Sequence, residues 1–199
     1  MSSIGLPRRV HAQDEQRLLC HFLQLDSNDR RYRFGSPVSD GKLQDYVQMI
    51  VLQDDTLFAV EDTNLHFIGV AHLSMEAEHA HIGVSVLQGW RGKGVAKSLV
   101  RRCLQRARNA DVKVVHMTRL MDNRPMAVLE KKLGFVTYST GAETEAEKTI
   151  SGLTLCSLIA EGLDNWLAVI DHNHKVQNLV IRQCCEGSAS ATEATGQLR

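Results

Sequence analysis

The sequence predicts a single α/β domain, a mixed and mostly antiparallel central sheet flanked by helices. Three observations predict it: apolar residues at helical spacing before residue 51, short β-rich runs between 57 and 86, and amphipathic helix alternating with β-branched strand from 94 to 139. With 199 residues, 43% of them hydrophobic, the chain is long enough for one full core. Two domains would each be thin.

The elements follow in order. Residues 13–25 place Leu18, Leu19, Phe22 and Leu23 on one helical stripe. Residues 27–40, rich in turn formers and charge, read as a loop, and Leu43, Tyr46, Val47 and Ile50 then restore helical periodicity. Runs at 57–61, 66–75 and 79–86 read as three antiparallel strands, with Glu76-Ala77 as a two-residue turn that would set His72 opposite His81. Residues 94–109 carry Val95, Leu99, Val100 and Cys103 on one face, and 112–118 is a β-branched strand. Asp122 suits an N-cap, Pro125 the first helical turn, Met126, Leu129 and Leu133 the buried stripe, and Gly134 the C′ position before a strand at 135–139. Residues 142–148 read as an acidic turn and 149–155 as a further strand. Leu158, Leu163, Trp166, Leu167 and Ile170 mark a final helix whose stripe suits core or dimer surface. From Cys184 onward almost nothing is left to bury, so the domain is expected over 1–183 and a flexible tail over 184–199.

Lysine plus arginine equals aspartate plus glutamate, at 23 each, so no long-range field gathers nucleic acid or anionic membrane. Five cysteines without paired CxxC spacing argue against a disulfide framework or a cysteine-rich zinc module and fit a reducing compartment. The start lacks the apolar core of a signal peptide, and no apolar run is long enough to cross a bilayer. The expectation is a soluble, cytoplasmic protein whose C-terminal helix permits a homodimer.

The segment Gln88-Gly89-Trp90-Arg91-Gly92-Lys93-Gly94-Val95-Ala96 stands between a strand and an amphipathic helix. Unpaired amides at a helix N-terminus bind anions, glycines at 92 and 94 let a diphosphate approach them, and Arg91 and Lys93 place charge at the rim. The pattern is neither Gly-x-x-x-x-Gly-Lys-Ser/Thr nor Gly-x-Gly-x-x-Gly after a first strand, which excludes two commoner phosphate loops.

The order of elements around this loop resembles the GNAT acetyltransferase superfamily from about residue 10 to 155, and the stretches 82–86, 107–109 and 122–123 look especially like uncharacterised bacterial domains of it, including those of protein acetyltransferases. In that family the Gln/Arg-x-x-Gly-x-Gly/Ala segment, matched by Arg91, Gly94 and Ala96, binds the diphosphate of acetyl-coenzyme A. The resemblance therefore implies a cofactor site of Arg91, Gly92, Lys93, Gly94, Val95 and Ala96. It adds Val84 and Val86, whose main chain pairs with the pantetheine arm, and Asn123 with Met126 where the later helix begins. It also implies direct acetyl transfer to a primary amine in a ternary complex, the acceptor being a polyamine, an amino acid, an antibiotic amine or a protein lysine. A non-catalytic acyl-coenzyme A binding regulatory module is the alternative.

That alternative draws on two departures from the family. His81 stands where relatives often have a basic glutamate, and Glu130 where many have an acidic tyrosine. Strand alternation puts His79, His81, Gly83 and Ser85 on one face. A free imidazole titrates at about 6.5, so His81 is a candidate base, with Glu78 in reserve and Glu130 a candidate acid. The bland readings are that the histidines are partly buried sheet residues, that Glu130 faces solvent beside Arg124 or Lys131, and that Arg30, Arg31 and Arg33 form a solvated rim. A metal site would need a third ligand that the sequence does not locate, so none is assigned.

Overall fold

The computed structural model describes residues 5–52, 55–140 and 143–196. In chain order the elements are β1 (Arg8–Arg9), α1 (Glu15–Leu23), α2 (Ser27–Phe34), α3 (Asp40–Leu52), β2 (Thr56–Glu61), β3 (Phe67–Glu76), β4 (His79–Val86), α4 (Val95–Asn109), β5 (Val114–Leu120), α5 (Arg124–Leu133), β6 (Val136–Thr140), β7 (Glu143–Thr149) and α6 (Leu155–Gly196). They build one seven-stranded sheet in the order β1-β2-β3-β4-β5-β7-β6. Every pairing is antiparallel except β4 with β5, so the sheet is mixed and mostly antiparallel.

Two apolar layers cover the faces. Strand alternation sends Ala80, Ile82 and Val84 of β4 and Val115 and Met117 of β5 toward Val95, Leu99, Val100, Cys103 and Ala107 of α4. A Cβ at Gly69 of β3 would lie 2.6 Å from Val95 Cγ1, so the glycine admits the helix. On the opposite face Leu18 and Phe22 of α1 and Leu43, Val47 and Ile50 of α3 close over Leu57, Ala59, Phe67 and Val70. Each large side chain buried this way contributes about 2 kcal/mol.

Four sequence expectations are corrected. Residues 27–34 form a helix instead of a loop, because the Asp26 carboxylate accepts from the Asp29 N–H at 2.8 Å and caps it, and Gly35 at φ 75° ends it. The Glu76-Ala77 turn is displaced: Ala77 takes φ 49°, Glu76 pairs with His79, and His81 faces Ser74 while His72 faces Gly83. Residues 143–149, acidic and turn-like by composition, are a strand because β5 and β6 pair with it on both sides, with Thr144 and Ala146 buried. Residues 150–154, expected within a strand, carry no strand pairing, and residue 142 lies outside the described residues.

The last helix is longer than its apolar stripe suggests and continues to Gly196. Trp166 is not core but 62% exposed on its outer face, beside Ile159, Leu163 and Ile170. Its inner face is tied to α4 and to the sheet by polar contacts: Asn109 Nδ2 of α4 donates to Glu161 at 2.6 Å, Lys175 Nζ to the Glu61 carbonyl at 3.0 Å, and His172 Nδ1 lies 2.8 Å from Glu61 Oε2. Glu61 also takes Arg8 at 2.7 Å, so the carboxylate joins the chain start, the sheet edge and α6. Among the described residues no helix is long and apolar enough to cross a membrane.

Candidate active site

Only three rungs join β4 to β5: His79 with Val114, Ala80 with Val115, and His81 with His116. Beyond His81 the strands diverge. The Glu78 carbonyl accepts from Lys113 and Val114, and alternation turns the main-chain groups of Ile82, Val84 and Val86 to that same side. No strand of the described residues meets them there, although Arg91 Nε donates to the Val86 carbonyl at 3.3 Å. An extended ligand arm can pair with such an edge as another strand would.

The edge runs on into the turn at 91–94, where Gly92 and Gly94 take φ of 73° and 89°, a region that L side chains rarely adopt. Gly94 is the N-cap of α4 and has no side chain to cap it. Its carbonyl accepts from Ser98 N–H at 3.0 Å, while the N–H groups of Val95, Ala96 and Lys97 find no protein acceptor among the described residues. Three donors at the positive end of a fifteen-residue helix make an anion site. The cationic side chains are held back from it: Lys93 Nζ donates to the Gly89 carbonyl at 2.9 Å over the Trp90 ring, and Arg91 pairs with Asp29.

Across the gap, the buried Asn123, and not Asp122, caps α5, its Oδ1 accepting from Met126 N–H at 3.2 Å. Its Nδ2 remains to donate. Asp122 instead pairs with Arg31. Met126 packs against the core beside Leu129 and Leu133. Turn 91–96, the Val84 and Val86 edge and the Asn123 cap thus line one wedge.

His81 marks the vertex of the wedge. Its exposed ring stacks on His116 at 5.1 Å between centroids, and His79 stacks on the other side of His116 at 5.3 Å, with His79 Nδ1 and His116 Nε2 3.0 Å apart. Glu145 Oε1 lies 3.0 Å from His116 Nδ1 but is misaligned for a hydrogen bond. The partner of His81 is therefore His116 of β5, not His72. Glu78 sits in the hairpin on the closed side of the vertex, about 10 Å along the strand from His81 and away from the gap.

Glu130 does not face solvent. It is fully buried on the sheet side of α5, where its Oε2 accepts from Arg119 Nε at 2.9 Å and its Oε1 has no partner. Burial pushes its carboxyl up from the usual range, and Arg119 only partly opposes this. Alternation along β5 puts Arg119 on the same face as Val115 and Met117, so Glu130 and His81 lie on opposite faces of the sheet.

The arginines of α2 are not a solvated rim. Arg30 Nη1 meets Asp40 at 2.6 Å and its other nitrogens donate to the Leu23 and Leu25 carbonyls. With Asp29 on Arg91 beyond β4 and Arg31 on Asp122 beyond β5, α2 straps the two diverging strands. Arg33 lies on β4 itself: a Cβ at Gly83 would be 2.5 Å from its Cζ. Arg33 Nη2 donates to Tyr46 Oη at 2.8 Å, Tyr46 lies 2.9 Å from His72 Nδ1, and His72 Nε2 lies 2.8 Å from Asp55. Sequence reasoning missed His116 and Arg119, read Tyr46 only as part of a helical stripe, set Arg33 on a solvated rim and placed His72 opposite His81 instead of Gly83. One signal was present, since a glycine inside a strand marks close approach by another group, and Gly83 is such a glycine.

Known proteins share this architecture. The GNAT domain of S. lividans PAT superposes with a TM-score of 0.64 at 18% identity, over 72% of this chain and 89% of that one. A spermidine N-acetyltransferase from Vibrio cholerae, solved with CoA and spermine, gives 0.58 at 19%, over 72% and 94%. A ribosomal-protein-S5-alanine acetyltransferase from Vibrio fischeri gives 0.56 at 20%, over 72% and 91%. The family model of the GNAT acetyltransferases matches residues 21–135, from the first helix through the anion turn and the α5 cap, and the chain belongs to that family.

Proposed function

We propose that this protein transfers an acetyl group from acetyl-coenzyme A to a primary amine by direct attack in a ternary complex. The observation that carries the reading is the continuity of one open main-chain edge, Val84 and Val86, with the unpartnered N–H groups of Val95, Ala96 and Lys97. The first fits the amide-bearing arm of coenzyme A, the second its diphosphate. Gly92 and Gly94 hold the turn in shape, and Asn123 Nδ2 reaches the arm from the other side. When bound, the donor supplies an activated thioester carbonyl.

Transfer forms an N–C bond and breaks a C–S bond; the amine loses a proton and the departing sulfur gains one. His81, exposed at the vertex and backed by His116 and Glu145, takes the proton from the amine. Glu130 is held by Arg119 on the opposite face, so the departing sulfur takes its proton from solvent. The N–H of Val84 polarises the carbonyl. A non-catalytic acyl-coenzyme A sensor would share the same turn. Calorimetric titration with acetyl-coenzyme A, followed by thiol release over an amine panel with wild type and His81→Ala, separates the readings. Turnover that falls at least 100-fold in His81→Ala with unchanged cofactor affinity supports the transferase, whereas tight binding with no turnover on any amine replaces it with the sensor.

A further inference from the structure

Arg33 differs from its helical neighbours in having no carboxylate partner among the described residues. Arg30 is paired with Asp40 and Arg31 with Asp122, but among the described residues no acidic side chain lies within ion-pair distance of Arg33. Its Nε is buried without a hydrogen-bond partner. A half-buried guanidinium without a counter-ion keeps its charge available to an anion that enters the cleft.

The guanidinium is also fixed in place. The Phe34 and Tyr46 rings lie 5.0 and 5.7 Å from its Cζ, and the Tyr46 hydroxyl accepts from Nη2. That hydroxyl then donates to His72 Nδ1, and His72 Nε2–H donates to the Asp55 carboxylate, which is the tautomer the chain of contacts requires. Burial, and next the Arg33 charge, hold His72 below the ordinary imidazole range despite Asp55, so His72 stays neutral and keeps that tautomer. Asp55 is thereby two side chains away from the guanidinium and does not neutralise it.

The position is specific. Arg33 rests on Gly83, two residues from His81 on the same strand face, at a Cα separation of about 7 Å. Two hydrogen bonds and the span from amine to carboxylate in an amino acid cover that separation. A cation there also favours the neutral amine needed for attack, and it repels a polyamine.

We propose that the acceptor is a free amino acid or a close analogue, whose carboxylate is bound by Arg33 while its amine is presented to His81. This deepens the acetyl-transfer reading and rests on it for the turnover arm of the test. Thiol release is measured for the common amino acids and for their C-terminal amides, which keep the amine and lose the anion, with spermidine as a dication. The acid is expected to exceed its amide by at least 30-fold in kcat/KM, mostly through KM, for the preferred side chain. Arg33→Gln is expected to bring that ratio to within threefold, and Tyr46→Phe to an intermediate value. The ratio is taken within one protein, so a loss of folded fraction cancels.

A second arm does not depend on turnover: the N-acetyl amino acids and their amides are titrated calorimetrically into the protein saturated with coenzyme A. Acid-over-amide preference that disappears in Arg33→Gln supports the anion site even where no amine is acetylated, in which case only the transferase reading fails. Turnover with equal rates for acid and amide, a preference for spermidine, or no preference in either arm overturns the inference.

Discussion

Acidification from pH 7 to pH 4 should weaken this fold through His21. The ring is 1% exposed, with Nδ1 2.8 Å from the Phe67 carbonyl and Nε2 2.8 Å from Ser85 Oγ. A carbonyl can only accept, so Nδ1 carries the proton and Nε2 accepts from the serine hydroxyl; the ring is neutral. Protonation would add a second N–H facing that hydroxyl and a charge to the core. Burial first, and then the Arg33 charge, lower the pKa from 6.5 to about 4, against the pull of the Phe67 carbonyl. The unfolded chain therefore binds more protons than the folded one between these values. Stability contributed by the neutral ring is complete above about 6.5 and falls with pH by about 1.4 kcal/mol per unit, reaching a loss of about 3 kcal/mol near pH 4. Urea denaturation at half-unit steps, compared with His21→Gln, measures the effect. The variant should be less stable at pH 7 and show a flatter slope, with a remainder from His72, which is shifted in the same direction. Parallel slopes for the two proteins from 6.5 to 4 would refute the assignment of the proton.

Other perturbations give separable outcomes. Gly94→Ala places a Cβ on a residue at φ 89°, which costs about 1 kcal/mol, and should weaken coenzyme A binding at least tenfold by calorimetry; unchanged affinity means that the turn does not hold the diphosphate. Glu130→Leu leaves Arg119, whose side chain is 12% exposed, without its carboxylate and should lower stability by about 3 kcal/mol in urea. A loss below 1 kcal/mol would show that the pair is solvated.

Strands β2 to β6, α4 and α5 were legible because their apolar periods are unambiguous and because Gly94 and Gly134 mark helix ends by chemistry that depends only on local sequence. α2 was not, since its stability comes from the Asp26 cap and from arginines that reach carbonyls and carboxylates elsewhere in the chain. β7 was misread for a related reason: an acidic segment becomes a strand when it lies between two partners that satisfy its main chain, whatever its propensity. The glycine turn that opens α4 was legible in the sequence, as local geometry allows. Arg33 and Tyr46 were not, because their roles arise from long-range approach to Gly83 and His72, of which the strand glycine was the one local trace.

A sheet whose halves share three rungs is fastened at one end, like tweezers. The four strands before the gap and the three after it are held together by those rungs, the Glu78 carbonyl, the apolar layer under α4 and the α2 ion pairs at the open end. A ligand lying along Val84 and Val86 would add the missing rungs and stiffen residues far from its own contacts. Amide exchange should then slow in β5 and β7 as well as in β4, so that cofactor occupancy is readable from the far edge of the molecule.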